Sequence, residues 1–349
     1  MMKKILCLAL AALALLSLAA CNKELNPDVG TTAPKFLRQE DVDAAMQKLG
    51  VTGDVNNLSD EQRKKLQDAL RKEGFDVAVA NKDLQVNIPT NLQTPPTEAS
   101  VTQPPALPAG TEVSKDAARP YMQKMQEIIN SKNFTMKMRS AIGNPLGESG
   151  SYMPVVMVLQ DQNSATEMTI DWTSLTKSMD LKYGQQALMA ATLYTAMGKR
   201  MRMVIADGTT YLAFPDRKTY ISMQELEQAN PDDQTAFDSS MLGDLSGVLA
   251  VIPDDTKSTK VTSGGVNYLC AVVEGENGTY QKYYFLADGA NAGTLKRIEV
   301  KGEDGSLLVN EIEEFRAGAD TSYFSVKGMA KMSPGDFQNL LKGFEGMMS

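Results

Sequence analysis

From about residue 130 onward, apolar and polar side chains alternate in short runs, the period of a β-strand with one dry face and one wet face. Phe134-Thr135-Met136-Lys137-Met138-Arg139 sets apolar residues against threonine and cations, and Arg200-Met201-Arg202-Met203 does the same. The pattern predicts further strands over 152–159, 164–172, 209–213, 218–222, 258–262, 266–274, 279–287, 294–301 and 306–314. Asp207-Gly208, Asp288-Gly289 and Asp304-Gly305 fall between or beside them and suit hairpin turns with positive φ. Residues 185–197, rich in Ala and Leu, are read as a further strand.

Helical spacing interrupts the strands at a few places. Tyr121, Met125, Ile128 and Ile129 share one side of a helix over 120–130, where Pro120 suits the first turn. Ser222 with Glu225 caps a short helix, and Phe237, Met241, Leu245, Val248 and Leu249 form the apolar side of another over 237–249. Ser333-Pro334-Gly335-Asp336 opens a last helix, over 335–346, in which Phe337, Leu340, Leu341 and Phe344 recur at i, i+3, i+4 and i+7. Short hairpins without regular strand-helix alternation predict an α+β fold built on an antiparallel sheet. They argue against a solute-binding protein of the periplasmic type.

Ahead of this region, Val42, Met46 and Leu49 mark a helix over 40–49, and Ser59 with Gln62 opens a second that runs to about Lys72. Phe75-Asp76-Val77-Ala78-Val79 then alternates like a short strand. Prolines at 89, 95, 96, 104, 105 and 108 break the pattern altogether, and such a segment favours extended conformations over a core. The expected organisation is therefore a signal segment over 1–20, a spacer over 21–35, a small helical module over 36–88, a proline-rich linker over 89–111 and a large domain over 112–349.

The first residues carry a more specific message. Met1-Met2-Lys3-Lys4 and an unbroken apolar run from Ile5 to Leu16 make a secretory signal. Twelve apolar residues are too few to span about 30 Å of hydrocarbon, so a transmembrane helix is the weaker reading. Leu18-Ala19-Ala20-Cys21 then resembles the lipobox of bacterial lipoproteins. That resemblance implies cleavage between Ala20 and Cys21 and a diacylglyceryl thioether on Cys21. Each buried methylene contributes roughly 0.8 kcal/mol, and two or three chains anchor durably where one holds only marginally. The expected location is the extracytoplasmic side of the cell membrane, or the outer membrane in a host that has one.

Charge and composition narrow the function classes. The chain has 35 basic and 43 acidic residues; loss of Lys3 and Lys4 leaves 33 against 43, a net charge of −10. Such a body is a poor partner for nucleic acid, and a lipid anchor, not a basic patch, would hold it to a membrane. Histidine is absent, which removes Ser-His-Asp and Cys-His nucleophile systems and His-ligated metal sites. Of three cysteines, Cys7 leaves with the signal and Cys21 takes the lipid, so Cys270 stands alone within an apolar strand pattern. A buried hydrophobe is the expected role for it, not a reactive thiol.

Candidate chemistry is sparse. Ser174-Leu175-Thr176-Lys177 matches the S-x-x-K of penicillin-binding proteins, but the S-D-N and K-T-G partners are missing and the segment falls among predicted strands. Asp232-Asp233, Asp254-Asp255 and Glu311, Glu313 and Glu314 are read as solvated charge, since paired catalytic carboxylates need a defined separation across a cleft. Asp54-Val55-Asn56 lacks the glycine and the final glutamate of a calcium loop. No catalytic residue, cofactor or metal site is assigned. Methionine is the notable excess: ten of the 21 fall between 136 and 203. Met136 and Met138 share a strand face, as do Met153 and Met157, and Met201 and Met203. A flexible, polarisable lining of this kind adapts to apolar ligands of varied shape; an ordinary core is the competing reading, and a Met-only copper(I) site a third.

The order of pieces in the large domain resembles exported lipoproteins of the LolA-like, LolB-like and LppX-like half-barrel group and uncharacterised surface lipoproteins of Firmicutes. The resemblance rests on Ser131 to Met138, Met201 to Tyr211, Pro215 to Tyr220, Tyr283-Tyr284-Phe285 and Leu295 to Ile298, and covers about 130–326. It implies a strongly curved antiparallel sheet of about 10–11 strands whose concave side is covered by helices and, in better-known members, shelters acyl chains. The expected function is a non-enzymatic membrane-anchored lipoprotein that binds a lipid or other apolar ligand. Its expected lining is Met136, Met138, Met157, Met168, Met201, Met203, Leu245, Phe337 and Leu341. The rival is a structural or protein-interaction lipoprotein of the cell envelope with a filled core, its 36–88 module contacting an envelope partner.

Overall fold

The structure, a computed structural model, describes residues 37, 39–52, 55–75, 77–80, 83–86, 92–96, 103–141, 152–177, 185–229, 256–303 and 305–337. The signal with Ala20 and Cys21, the helix expected over 237–249 with Leu245, and Leu341 lie outside the described residues.

The helices are α1 (Gln39–Lys48), α2 (Asp60–Lys72), α3 (Arg119–Asn130), α4 (Trp172–Lys177), α5 (Gln185–Met197) and α6 (Met223–Ala229). The strands are β1 (Val77–Ala80), β2 (Asp83–Val86), β3 (Thr111–Glu112), β4 (Asn133–Ala141), β5 (Tyr152–Gln160), β6 (Asn163–Thr169), β7 (Arg200–Ala206), β8 (Thr209–Phe214) and β9 (Thr219–Ser222). There follow β10 (Lys257–Ser263), β11 (Val266–Glu274), β12 (Tyr280–Leu286), β13 (Leu295–Lys301), β14 (Leu307–Ala317) and β15 (Ala330–Lys331). A further helix starts at 334; its described residues end at 337.

Thirteen strands form one sheet in the order β15-β9-β8-β7-β6-β5-β4-β14-β13-β12-β11-β10-β3. Two antiparallel meanders, β4 to β9 and β10 to β14, are joined where β14 returns to pair with β4, Ile312 opposite Met138. Only the short β15 runs parallel to its neighbour. The α+β class and antiparallel sheet follow the expectation, because each hairpin is specified locally. Asp207 and Gly208 both take positive φ (51° and 75°), as a two-residue turn between β7 and β8 requires.

Contacts divide the chain into two compact units. One holds the described residues of 100–170 and 200–331, and with them the thirteen-stranded sheet; the other holds those of 12–99, 171–199 and 332–349. The second unit thus draws on residues both before and after the proline-rich segment. Its core joins Leu37, Val42, Met46, Leu58, Leu66, Leu70, Phe75 and Val77 to Leu188 of α5. The Gln93 N–H donates to Thr195 Oγ1 at 2.6 Å. Two helices alone bury too little to be stable, and α5 adds apolar surface.

Residues 185–197, expected as a strand, are helix α5. The segment has apolar residues on every side and buries Leu188, Met189, Ala190, Ala191, Leu193 and Met197. Apolar residues so distributed leave no 3.6-residue stripe to read, and its alanines and leucines favour the helix. From Gln103 on, the proline-rich segment is bonded to the sheet, ending in β3 against β10 with Thr111 opposite Lys260.

Candidate functional site

Register places the methionines on one face of the sheet. Met136 lies opposite Met157, Met138 opposite Val155, Met168 opposite Met201 and Thr166 opposite Met203. Cross-strand side chains of this kind are neighbours about 4.5–5.5 Å apart at Cβ. Phe134, Met153, Val155, Leu212, Phe214 and Ile221 extend the surface on either side, and all are buried. Met136, Met153, Met157, Met168, Met201 and Met203 are buried too, with Met138 half-exposed. At the other end of the face, α3 packs through Tyr121, whose ring centroid is 5.7 Å from that of Phe285. The Ala118 N–H donates to Ser258 Oγ there at 3.2 Å.

The structure therefore brings Met136, Met138, Met157, Met168, Met201 and Met203 to one face. Phe337 is buried but groups with the second compact unit. Its helix opens as expected: Ser333 Oγ accepts from the Asp336 N–H at 3.1 Å and donates to Asp336 Oδ2 at 2.7 Å.

The opposite face carries the buried charge. Glu299 is fully buried and Arg297 nearly so, their side chains paired at 2.7 Å. Tyr284 Oη donates to Glu299 Oε2 at 2.9 Å and the Leu107 N–H donates to Glu299 Oε1 at 2.9 Å. Arg297 in turn donates to the Pro105 carbonyl. Burial, with the Cys270 thiol and the Glu299 carboxylate beside it, pushes the Tyr284 hydroxyl far up, so it stays a donor. Leu107 packs on the cluster of Val261, Cys270 and Tyr284, as do Tyr268 and Val272. Residues 103–112 thus form a strap across β10 to β14.

A second segment covers the other half of this face. Beyond β14, the Gly318 carbonyl accepts from Thr135 Oγ1 at 2.9 Å, and Ala319, Tyr323 and Phe324 pack on Val158, Ala165 and Val204. Beneath it Arg202 pairs with Glu167 at 2.6 Å and lies 4.7 Å from the centre of the Tyr323 ring. The alternation that predicted β7 marked Arg202 only as a wet position, and Arg297 only fell within a predicted strand. Nothing local distinguishes a solvated cation from one that a distant loop will cover.

The two sequence motifs with reactive side chains are structurally explained. Ser174 stands in the first turn of α4, not among strands, and its Oγ donates to Asp171 Oδ2 at 2.6 Å while Asp171 also accepts from the Thr173 and Ser174 N–H groups. The hydroxyl belongs to a helix cap. Cys270 is buried in β11, and burial pushes its thiol up to about 12. Among the described residues no group of three or more Cys, Asp or Glu is placed to hold a metal ion, and no helix there is long and apolar enough to cross a membrane.

No family model and no curated protein matches the chain. Likenesses to solved structures are faint. LprF from Mycobacterium bovis is 10% identical, with 59% of this chain and 95% of that one covered at a TM-score of 0.32. A DUF1329 family protein from Desulfovibrio piger is 12% identical, with 60% and 97% covered at 0.21. A domain assigned as an outer membrane lipoprotein-sorting protein from Vibrio parahaemolyticus is 11% identical, with 64% and 97% covered at 0.21. At such scores the likeness carries no weight for function.

Proposed function

We propose that this chain is an exported lipoprotein, anchored through Cys21, that is not an enzyme and holds a lipid or other apolar ligand against the methionine-lined face of its large sheet. The observation that carries the reading is the continuity of that face. Met136, Met157, Met168, Met201 and Met203 come from four strands, lie in adjoining cross-strand positions, and have no buried charged side chain among them. An unbranched thioether surface can reshape itself around a flexible apolar molecule. The lipobox Leu18-Ala19-Ala20-Cys21 supports the anchor and a place on the extracytoplasmic side.

Native mass spectrometry after gentle purification tests the ligand. The expected result is a bound apolar mass that leaves on delipidation, with a fall in thermal stability. A protein that is free of adduct and equally stable after delipidation overturns it. Cys21→Ala is expected to move the protein from the membrane to the soluble exported fraction.

The burial of all five of these methionines favours a second reading. A face already filled by the protein's own side chains would look the same, and the chain would then be a structural or interaction lipoprotein of the cell envelope. Deleting 36–88 would abolish association with an envelope partner in that case, and leave ligand binding by the sheet as the reading to abandon.

A further inference from the structure

The strap over β10 to β14 is seated as a bound peptide is seated, and we propose that the groove beneath it is a docking site for an extended, proline-containing peptide segment, filled in cis by residues 103–112. The contacts are those of peptide recognition. Arg297 donates to the carbonyl of Pro105 and Glu299 accepts from the N–H of Leu107, so one buried ion pair engages an acceptor and a donor two residues apart on an extended chain. Gln103 supplies the third point: its Nε2 donates to the Leu307 carbonyl at 2.8 Å and its Oε1 accepts from the Val309 N–H at 3.2 Å. The side-chain amide thereby takes the place of a neighbouring strand's peptide group along β14. Leu107 is the single large apolar anchor, set on Val261, Cys270 and Tyr284. Gly110 allows the close approach at the far end, where a Cβ would lie 2.7 Å from the Lys260 carbonyl oxygen.

Floor and cover are unequal. Cys270 and Tyr284 are 1% exposed and Glu299 is fully buried, yet every strap residue from 103 to 112 is half-exposed or exposed. A cover with so little burial of its own, paired to the sheet through two residues of β3, opens at low cost relative to global unfolding. When it opens, Arg297 and Glu299 keep each other and Tyr284 but lose their main-chain partners, which leaves a ready donor and acceptor for another extended chain. Prolines 104, 105 and 108 hold such a chain near the polyproline conformation before it binds, which lowers the ordering cost.

Cys270 reports the event directly, because Leu107 packs over it. The test is maleimide labelling of the full chain, read by mass spectrometry at the Cys270 peptide, alongside the Gln103→Ala/Leu107→Ala double variant. A synthetic peptide of residues 103–112 is added in increasing amounts. The expected result is labelling well ahead of global unfolding, about tenfold faster in the double variant, and slowed saturably by the peptide but not by the same peptide with Leu107→Asp. Gly110→Ala is expected to accelerate labelling as well, from the opposite end of the strap. Labelling that tracks global unfolding in all forms, or no protection by the peptide up to millimolar concentration, overturns the proposal.

Discussion

The two faces of the long sheet bury their surfaces in different ways. On the methionine face every buried strand residue is apolar or a small hydroxyl residue such as Thr166, Ser140 or Ser258. On the opposite face the buried positions include Glu167, Arg297 and Glu299, each satisfied by named partners and each roofed by chain from outside the strand ladder. The first depends on area and shape, the second on particular pairs. Apolar burial is non-directional and tolerates changes that keep volume. A buried ion pair does not, because removing one partner leaves the other charged and unsolvated.

The largest effect is therefore expected on the charged face. Glu299→Ala should destabilise the protein by about 3–5 kcal/mol in urea titration, since Arg297, Tyr284 and the Leu107 N–H all lose their acceptor. A cost below about 1 kcal/mol would mean that water already reaches this pair. On the methionine face, Met157→Ala should cost about 2–5 kcal/mol and Met157→Leu less than about 1.5 kcal/mol if protein atoms fill the face. A cheap Met157→Ala whose cost grows when apolar ligand is added would assign the contacts to the ligand instead.

Smaller effects test the strap and the open part of the charged face. Gly110→Ala should cost about 1–3 kcal/mol, because the new methyl meets the Lys260 carbonyl and Val261. Lys137→Ala should cost about 1 kcal/mol or less: its bond to Glu314 raises the ammonium's affinity for its proton, but the pair is exposed. Last is a pH effect. The Cys270 thiol keeps its proton to about pH 12 when folded but loses it near pH 9 when unfolded. The stability linked to it is thus fully present below about pH 9 and is lost between there and pH 12. Cys270→Ala should make alkaline unfolding shallower by about one proton, measured by urea titration across that range.

Much of this was legible in the residues. Strands β4 to β14 lie within a few residues of the predicted runs, and Ser59 with Gln62 forms the predicted capping box, with the Ser59 N–H donating to Gln62 Oε1 at 2.9 Å. The shared face of Met136, Met138, Met201 and Met203 was readable as well, because alternation sets the side of a strand without help from the rest of the fold. Residues 185–197 were not, since a helix with apolar residues on every side and a buried strand have no distinguishing period. Nor was the strap. Gln103, Pro105 and Leu107 look like linker residues, and their hydrogen-bond partners lie 192 to 206 positions away.

Sequence alone determined what is local: where strands and helices start, which turns need positive φ and which side chains share a face. Tertiary structure decided what needs distant chain. It set β14 beside β4, joined α5 to the core that holds Leu37 and Leu66, and made Arg297 and Glu299 a buried pair under residues 103–112. Periodicity records how a residue faces its own strand. Burial also depends on what the rest of the chain lays over it, and no short window of sequence contains that.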